Sequence, residues 1–133
     1  MTTFLRVTIG LQTFAVFLSP VTAGLLMTTP NGHVLHSAAA YTVFVLAMVH
    51  VLAAVLAWRP GGGSPRPIGS AAVFLGLVLA QVLLGIAHVT VVHVPLGVAL
   101  FGFSLLQLSR PSACLPLRER SRRPGRRASR AAA

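Results

Sequence analysis

Four long apolar segments follow one another along the chain and are separated by short polar breaks. They cover approximately residues 4–27, 34–58, 68–89 and 92–108. Each is close to the roughly 20 residues that a helix needs to cross the hydrocarbon core of a bilayer. A helix satisfies its backbone groups within one segment, and no alternating pattern suggests a β-barrel, so we predict four transmembrane helices.

The breaks between the segments predict their arrangement. The first is "TTPNG", the second is "RPGGGSPRP", and the third and fourth segments meet almost without a linker around "HVTVVH". Helices joined by short connections are antiparallel neighbours. We therefore predict an all-α fold, an integral membrane four-helix up-down-up-down bundle, as one domain over residues 1–109. Residues 110–133, rich in Arg, Ser, Pro and Ala, predict a disordered basic tail.

The first segment has a second interpretation. A basic residue, an apolar core and small residues near Ala23 are also typical of a cleaved signal peptide. The apolar run continues beyond Ala23 through "GLLM", which favours a retained helix.

Composition and charge agree with a membrane protein. Hydrophobic residues make up 55% of the 133 residues, and mean hydropathy is +0.82. A soluble domain of this size has too little interior for so much apolar surface. The net charge is +10, but eight of the eleven arginines fall within residues 110–130. A charged tail of this kind attracts anionic lipid, and we predict no nucleic-acid binding.

Arginine placement predicts the orientation. Arg6, Arg59, Arg66 and the tail fall on one side of a four-helix topology, and the other two loops carry no arginine. By the positive-inside rule, both termini are predicted to be cytoplasmic, with the chain in the plasma membrane.

The histidines are the candidate chemical groups. The predicted topology places His33, His36, His88 and His93 near the outer face and His50 deeper in the second helix. An imidazole in hydrocarbon is costly unless it faces protein, water or a metal. The four outer histidines could simply face headgroups, or they could form a copper or zinc site, since imidazole suits both metals.

Two of the histidines share a local pattern, His-x3-small-x3-Phe. It consists of His36, Ala40 and Phe44 in the second segment and of His93, Gly97 and Phe101 in the fourth. Residues four apart share a helix face, so the small residue leaves room for a flat macrocycle and the phenylalanine lines the pocket. Two inward histidines on diagonal helices predict bis-histidine ligation of a haem, with His36 and His93 as the metal ligands. Small residues also favour close helix packing, which would make the repetition coincidental.

The position equivalent to His50 in the fourth segment is Gln107. His50 follows His36 by fourteen residues, as Gln107 follows His93. A second bis-histidine haem is therefore not predicted.

The stretches "HVLHSAAAY" and "QVLLGIAHV…HVPLGVALF" resemble one four-helix half of the haem A synthase family, over residues 1–108. Small four-helix membrane proteins of actinobacteria look similar too. The resemblance implies that His36 and His93, 57 residues apart, hold a haem b. The family's catalytic half has a glutamate where this chain has His33, and its outer-loop cysteine pair is missing here. The resemblance is therefore to the cofactor-holding half.

Two functions follow as predictions. The first is a haem-b protein for electron transfer or a subunit of a redox complex, with His33 and His88 contacting a propionate or another partner. The second is a cofactor-free accessory protein of a membrane complex, or a homodimer through its Gly and Ala faces. No Asp or Glu lies in the four segments and no nucleophile motif such as GxSxG occurs. Transport coupled to protons and hydrolytic catalysis are therefore not predicted.

Overall fold

The computed structural model describes residues 2–59 and 62–110, which form four helices and no strand. The helices are α1 (Thr2–Thr28), α2 (Gly32–Trp58), α3 (Arg66–Ile86) and α4 (Thr90–Ser109). All four are long and apolar enough to cross a membrane. The chain is a multi-pass membrane protein, and the predicted all-α four-helix fold is confirmed. Of the predicted tail at 110–133, all but Arg110 lies outside the described residues.

The four helices close into a ring in which each touches two others. α1 packs against α2 and α4, and α3 packs against the same two helices. Within the described part of the chain, the backbones of α2 and α4 do not pack directly against each other, and neither do those of α1 and α3. The second and fourth helices are therefore diagonal partners, as the up-down-up-down order predicts.

The surface and the interior of the bundle differ in the size and polarity of their side chains. Large apolar residues point outward, and examples that are more than half exposed are Phe14, Tyr41, Leu83 and Val98. The interior instead combines small and polar residues with a few larger apolar side chains such as Phe74 and Leu100, and its buried alanines are Ala15, Ala47, Ala53, Ala54 and Ala71. Small residues let helix backbones approach closely where lipid provides no hydrophobic driving force.

The third helix ends earlier than the apolar pattern predicts. It stops at Ile86, because His88 adopts a left-handed backbone conformation with φ of 57°. The His88 N–H donates to Gly85 O (3.2 Å) and the Val89 N–H donates to Leu84 O (3.0 Å), which reverses the chain. This turn places His88 outside both helices, with an exposed side chain. All four helices begin two residues before the apolar segments that predict them.

A glycine allows the tight turn between α1 and α2. Gly32 is the first residue of α2 and is buried against the end of α1. A Cβ atom added at Gly32 would fall on backbone atoms of Leu25 and Leu26. Only glycine fits where two backbones approach this closely.

A buried hydrogen-bond chain joins all four helices at the end of the bundle where the chain begins. His50 Nδ1 lies 2.9 Å from Gln12 Oε1, and Gln12 Nε2 donates to Gln107 Oε1 (3.2 Å). Gln107 Nε2 then donates to Ser70 O (3.0 Å). Because Gln12 Oε1 only accepts, His50 carries its proton on Nδ1. We call these four residues the inner polar layer; they fix the rotation of each helix about its axis.

We expect Gln12→Leu to lower the free energy of unfolding by about 1–3 kcal/mol, because it leaves His50 Nδ1 and Gln107 Oε1 without partners. Thermal unfolding in detergent, followed by circular dichroism, measures the loss. Leu11→Ala, at an exposed position on the same helix, is the control. Equal stability of the Gln12 variant and the wild type would show that the inner polar layer contributes nothing.

Candidate functional site

Two imidazoles face each other at the opposite end of the bundle. His36 on α2 and His93 on α4 have ring centroids 6.3 Å apart and ring planes inclined at 70°. They precede His50 and Gln107 by fourteen residues each, so about 21 Å of helix separates the two layers at 1.5 Å per residue. The structure thus brings together the two histidines that the sequence pattern paired.

The third helix holds His93 in place. His93 Nδ1 lies 2.9 Å from Gln81 O, and Gln81 Nε2 donates to His93 O (2.8 Å). The ring also lies over Gly85, where a Cβ atom would come within 3.1 Å of His93 Cε1. A carbonyl oxygen can only accept, so Nδ1 carries the proton and Nε2 keeps its lone pair.

The first helix orients His36 in a similar way. His36 Nδ1 lies 3.2 Å from Thr22 Oγ1, and that hydroxyl is also within 3.1 Å of Leu18 O and 3.0 Å of Ser19 O. The Thr22 hydroxyl has one proton, and it donates that proton in hydrogen bonds to the two carbonyl oxygens. Thr22 Oγ1 then accepts from His36 Nδ1, and the Nε2 of this ring is also left with a lone pair.

A cavity of about 60 Å³ lies between the two rings. Besides the two histidines, it is lined by Ser19, Ala40, Val43, Val78, Gln81 and Val82. Gln81 Oε1 is buried and has no hydrogen-bond partner among the described residues. The site therefore combines two imidazole nitrogens with one unsatisfied amide oxygen in an otherwise mostly apolar lining.

The donor groups fit a haem iron. A metal held about 2 Å from a nitrogen of each imidazole separates the two ring centroids by about 6 Å, which agrees with the 6.3 Å found. Ligating histidines usually donate their second N–H to a carbonyl or another acceptor, as His36 and His93 do.

The space beside the two rings is smaller than a haem macrocycle requires. The cavity does not span a macrocycle, and Gln81 Nε2 fills the space beside Gly97, 3.0 Å from where a Cβ atom would stand.

The remaining predicted site residues lie in three places. Ala40 lines the cavity. Phe44 and Phe101 lie eight residues beyond His36 and His93, about two turns at 3.6 residues per turn, and pack against the apolar core between the two polar layers. His33 and His88 are exposed and do not line the cavity. Among residues 2–59 and 62–110, no group of three or more His, Cys, Asp or Glu side chains could hold a metal. The structure therefore does not assemble the four outer histidines into a copper or zinc site.

Sequence reasoning missed three residues of the site, namely Thr22, Gln81 and Gly85. Each carries a signal in hindsight. Thr22 and Gln81 are polar residues inside apolar segments, and Gly85 follows Gln81 by one helical turn. What the sequence does not specify is which neighbouring helix each of them faces.

A comparison with family models, curated proteins and solved structures gives no match for this chain. The resemblance to the haem A synthase family stays a prediction. Function must therefore be inferred from the chain's own residues and their geometry.

Proposed function

We propose that this chain is a haem-b-binding membrane protein with bis-histidine ligation, acting in electron transfer or as a subunit of a redox complex. The observation that carries the proposal is the facing pair of His36 and His93 at 6.3 Å, each with its Nδ1 already hydrogen-bonded. Two neutral imidazoles whose Nε2 atoms retain lone pairs are the axial donor set of a six-coordinate haem iron.

The chain's own residues would act in three ways. His36 and His93 would hold the iron from opposite sides, and Thr22 and the Gln81 carbonyl would keep both rings in the ligating tautomer. Ala40 and Gly97 are the small residues one helical turn beyond His36 and His93 on the same helices. Haem b supplies one-electron redox chemistry when bound. With both histidines holding the iron, electron transfer would be favoured over oxygen activation.

The absorption spectrum of the detergent-purified protein, oxidised and then reduced with dithionite, tests this proposal. Expression with ample haem supply should give a Soret band and, on reduction, sharp α and β bands of low-spin iron. Pyridine haemochrome analysis should return about one haem b per chain, since the bundle has one such histidine pair. A flat spectrum at full haem supply would overturn the proposal.

The second candidate is a cofactor-free accessory protein of a membrane complex. The small cavity and the Gln81 amide that fills the space beside Gly97 favour it, because the bundle packs well without a cofactor. This alternative requires a colourless protein whose thermal unfolding is unchanged by added haemin. Cross-linking in native membranes would then identify either a larger complex or a second copy of the chain.

The orientation in the membrane is also a proposal. The exposed arginines Arg6, Arg59, Arg66 and Arg110 all lie at the end of the bundle opposite the histidine pair. The Arg59 guanidinium lies 5.1 Å from the centroid of the Trp58 ring, an arrangement suited to the headgroup region. These features support cytoplasmic termini in the plasma membrane, with anionic lipid at the arginine end and the histidine pair near the outer face.

The single cysteine allows this orientation to be measured. Cys114 is expected to resist a membrane-impermeant maleimide in intact spheroplasts and to react in inverted vesicles. The matched control is Asn31→Cys in a Cys114→Ser background, since Asn31 is exposed in the loop between α1 and α2. It should show the opposite labelling. Labelling of Cys114 from outside would reverse the proposed orientation.

A further inference from the structure

Polar groups at the cavity beside His36 and His93 offer hydrogen-bond acceptors. The hydrogen bonds of both Nδ1 atoms leave the two Nε2 atoms as acceptors, and Gln81 Oε1 is buried without a donor among the described residues. The two histidines and Gln81 line the same small cavity. A buried polar group without a partner is costly, so Gln81 Oε1 calls for a donor or a cation, and a cation there could also be bound by the imidazole lone pairs.

The charge of that cation is limited by the surroundings. The described residues include no Asp or Glu, and valines and an alanine make up half of the cavity lining. The cost of burying an ion rises steeply with its charge unless an anion compensates it. A monovalent ion is therefore favoured over a divalent one.

The ligand atoms then select the element. Imidazole nitrogen suits zinc, copper, iron and nickel, whereas alkali and alkaline-earth ions prefer oxygen ligands. Among the imidazole-binding metals, copper has an accessible monovalent state. Two imidazoles on opposite sides of one ion give Cu(I) a two-coordinate site, and the 6.3 Å ring separation leaves room for one ion between them.

We propose that the haem-free protein binds one Cu(I) ion between His36 Nε2 and His93 Nε2, with Gln81 Oε1 as a weaker third ligand. The site uses two of the outer histidines and one amide, and neither His33 nor His88 takes part. This inference does not rest on the haem proposal, because it concerns the cavity of about 60 Å³ as it stands, without room for a macrocycle.

The test is a titration of full-length protein purified from haem-deficient cells. Copper is supplied anaerobically as Cu(I) with a competing chelator, and bound metal is counted by elemental analysis. We expect one ion per chain, with binding weakened by more than about 100-fold in His36→Ala or His93→Ala. His33→Ala and His88→Ala are matched controls and should bind like the wild type. Zn²⁺ should bind more weakly than Cu(I).

Two substitutions of Gln81 separate this inference from haem binding. Gln81→Leu keeps the bulk but removes the acceptor, and should weaken Cu(I) binding by about tenfold without promoting haem uptake. Gln81→Ala removes both the bulk and the acceptor of the side chain, so it should weaken Cu(I) binding and increase haem uptake. Circular dichroism confirms that each variant is folded.

Several results would overturn the inference. These are Cu(I) binding equal in the wild type and His36→Ala, Zn²⁺ binding as tight as Cu(I) binding, and no effect of Gln81→Leu. A Soret band without Cu(I) binding would refute the copper site alone. Cu(I) binding in a protein that never takes up haem would refute the haem proposal alone.

Discussion

Either His36→Ala or His93→Ala is expected to abolish the low-spin haem spectrum. Each substitution removes one of two axial ligands from opposite helices, and no other described histidine lines the cavity to replace it. Because even the hydrogen-bond partners of metal ligands contribute about 10–100-fold to affinity, loss of a ligand itself should cost more than that. Titration of purified apoprotein with haemin, followed at the Soret band, measures the change.

The matched controls for this prediction are the two outer histidines that do not line the cavity. His33→Ala and His88→Ala should keep the position and height of the Soret band, since both side chains are exposed. A variant that loses haem but unfolds at the wild-type temperature shows a ligand effect rather than a collapse of the bundle. Retention of the low-spin bands in both His36→Ala and His93→Ala would place the haem elsewhere or exclude it.

Gly32→Ala is expected to be the most destabilising glycine-to-alanine change among the glycines whose surroundings the structure describes. The added Cβ would fall on backbone atoms of Leu25 and Leu26, which cannot rotate away as a side chain can. Forcing atoms into a filled space costs about 1–3 kcal/mol and occasionally more, and we expect about 3 kcal/mol here. Thermal unfolding in detergent should show this as a lower midpoint and a lower yield of folded protein.

A nearby glycine provides the opposite result. Gly24 lies in α1 and has no atom within 4 Å of the position its Cβ would take. Gly24→Ala should therefore be neutral or stabilise the helix by up to about 1 kcal/mol, because alanine has the higher helix propensity. Equal effects of the two substitutions would contradict the close approach of the α1 and α2 backbones at Gly32.

The number and order of the helices could be predicted from the sequence because each apolar segment satisfies its own backbone and nearly matches the membrane thickness. The pairing of His36 with His93 was also predictable, since the two share a pattern and a polarity on diagonal helices. The end of α3 could not be predicted, because the apolar segment continues past the left-handed His88 that ends the helix.

The contacts around the histidines could not be predicted, for a physical reason. Side-chain periodicity gives the faces of one helix, but not the rotation of that helix against its neighbours. The roles of Gln81 and Thr22 depend on that rotation, and so does the link between His50 and Gln107 through Gln12. Gln107 is the residue that made a second bis-histidine haem improbable, and it belongs instead to the inner polar layer.

The hydrogen bonds that orient the two histidines lie in separate halves of the bundle, whereas the inner polar layer joins those halves. His36 is oriented by Thr22 within the α1–α2 hairpin, and His93 by Gln81 within the α3–α4 hairpin. Each hairpin can thus insert into the bilayer with its own imidazole already oriented by a hydrogen bond. A ligand bound by both rings would then hold the two hairpins together. It would raise the free energy of unfolding by mass action as its concentration exceeds its Kd. Co-expressed fragments cut in the loop between α2 and α3 should consequently reassemble more completely when that ligand is supplied.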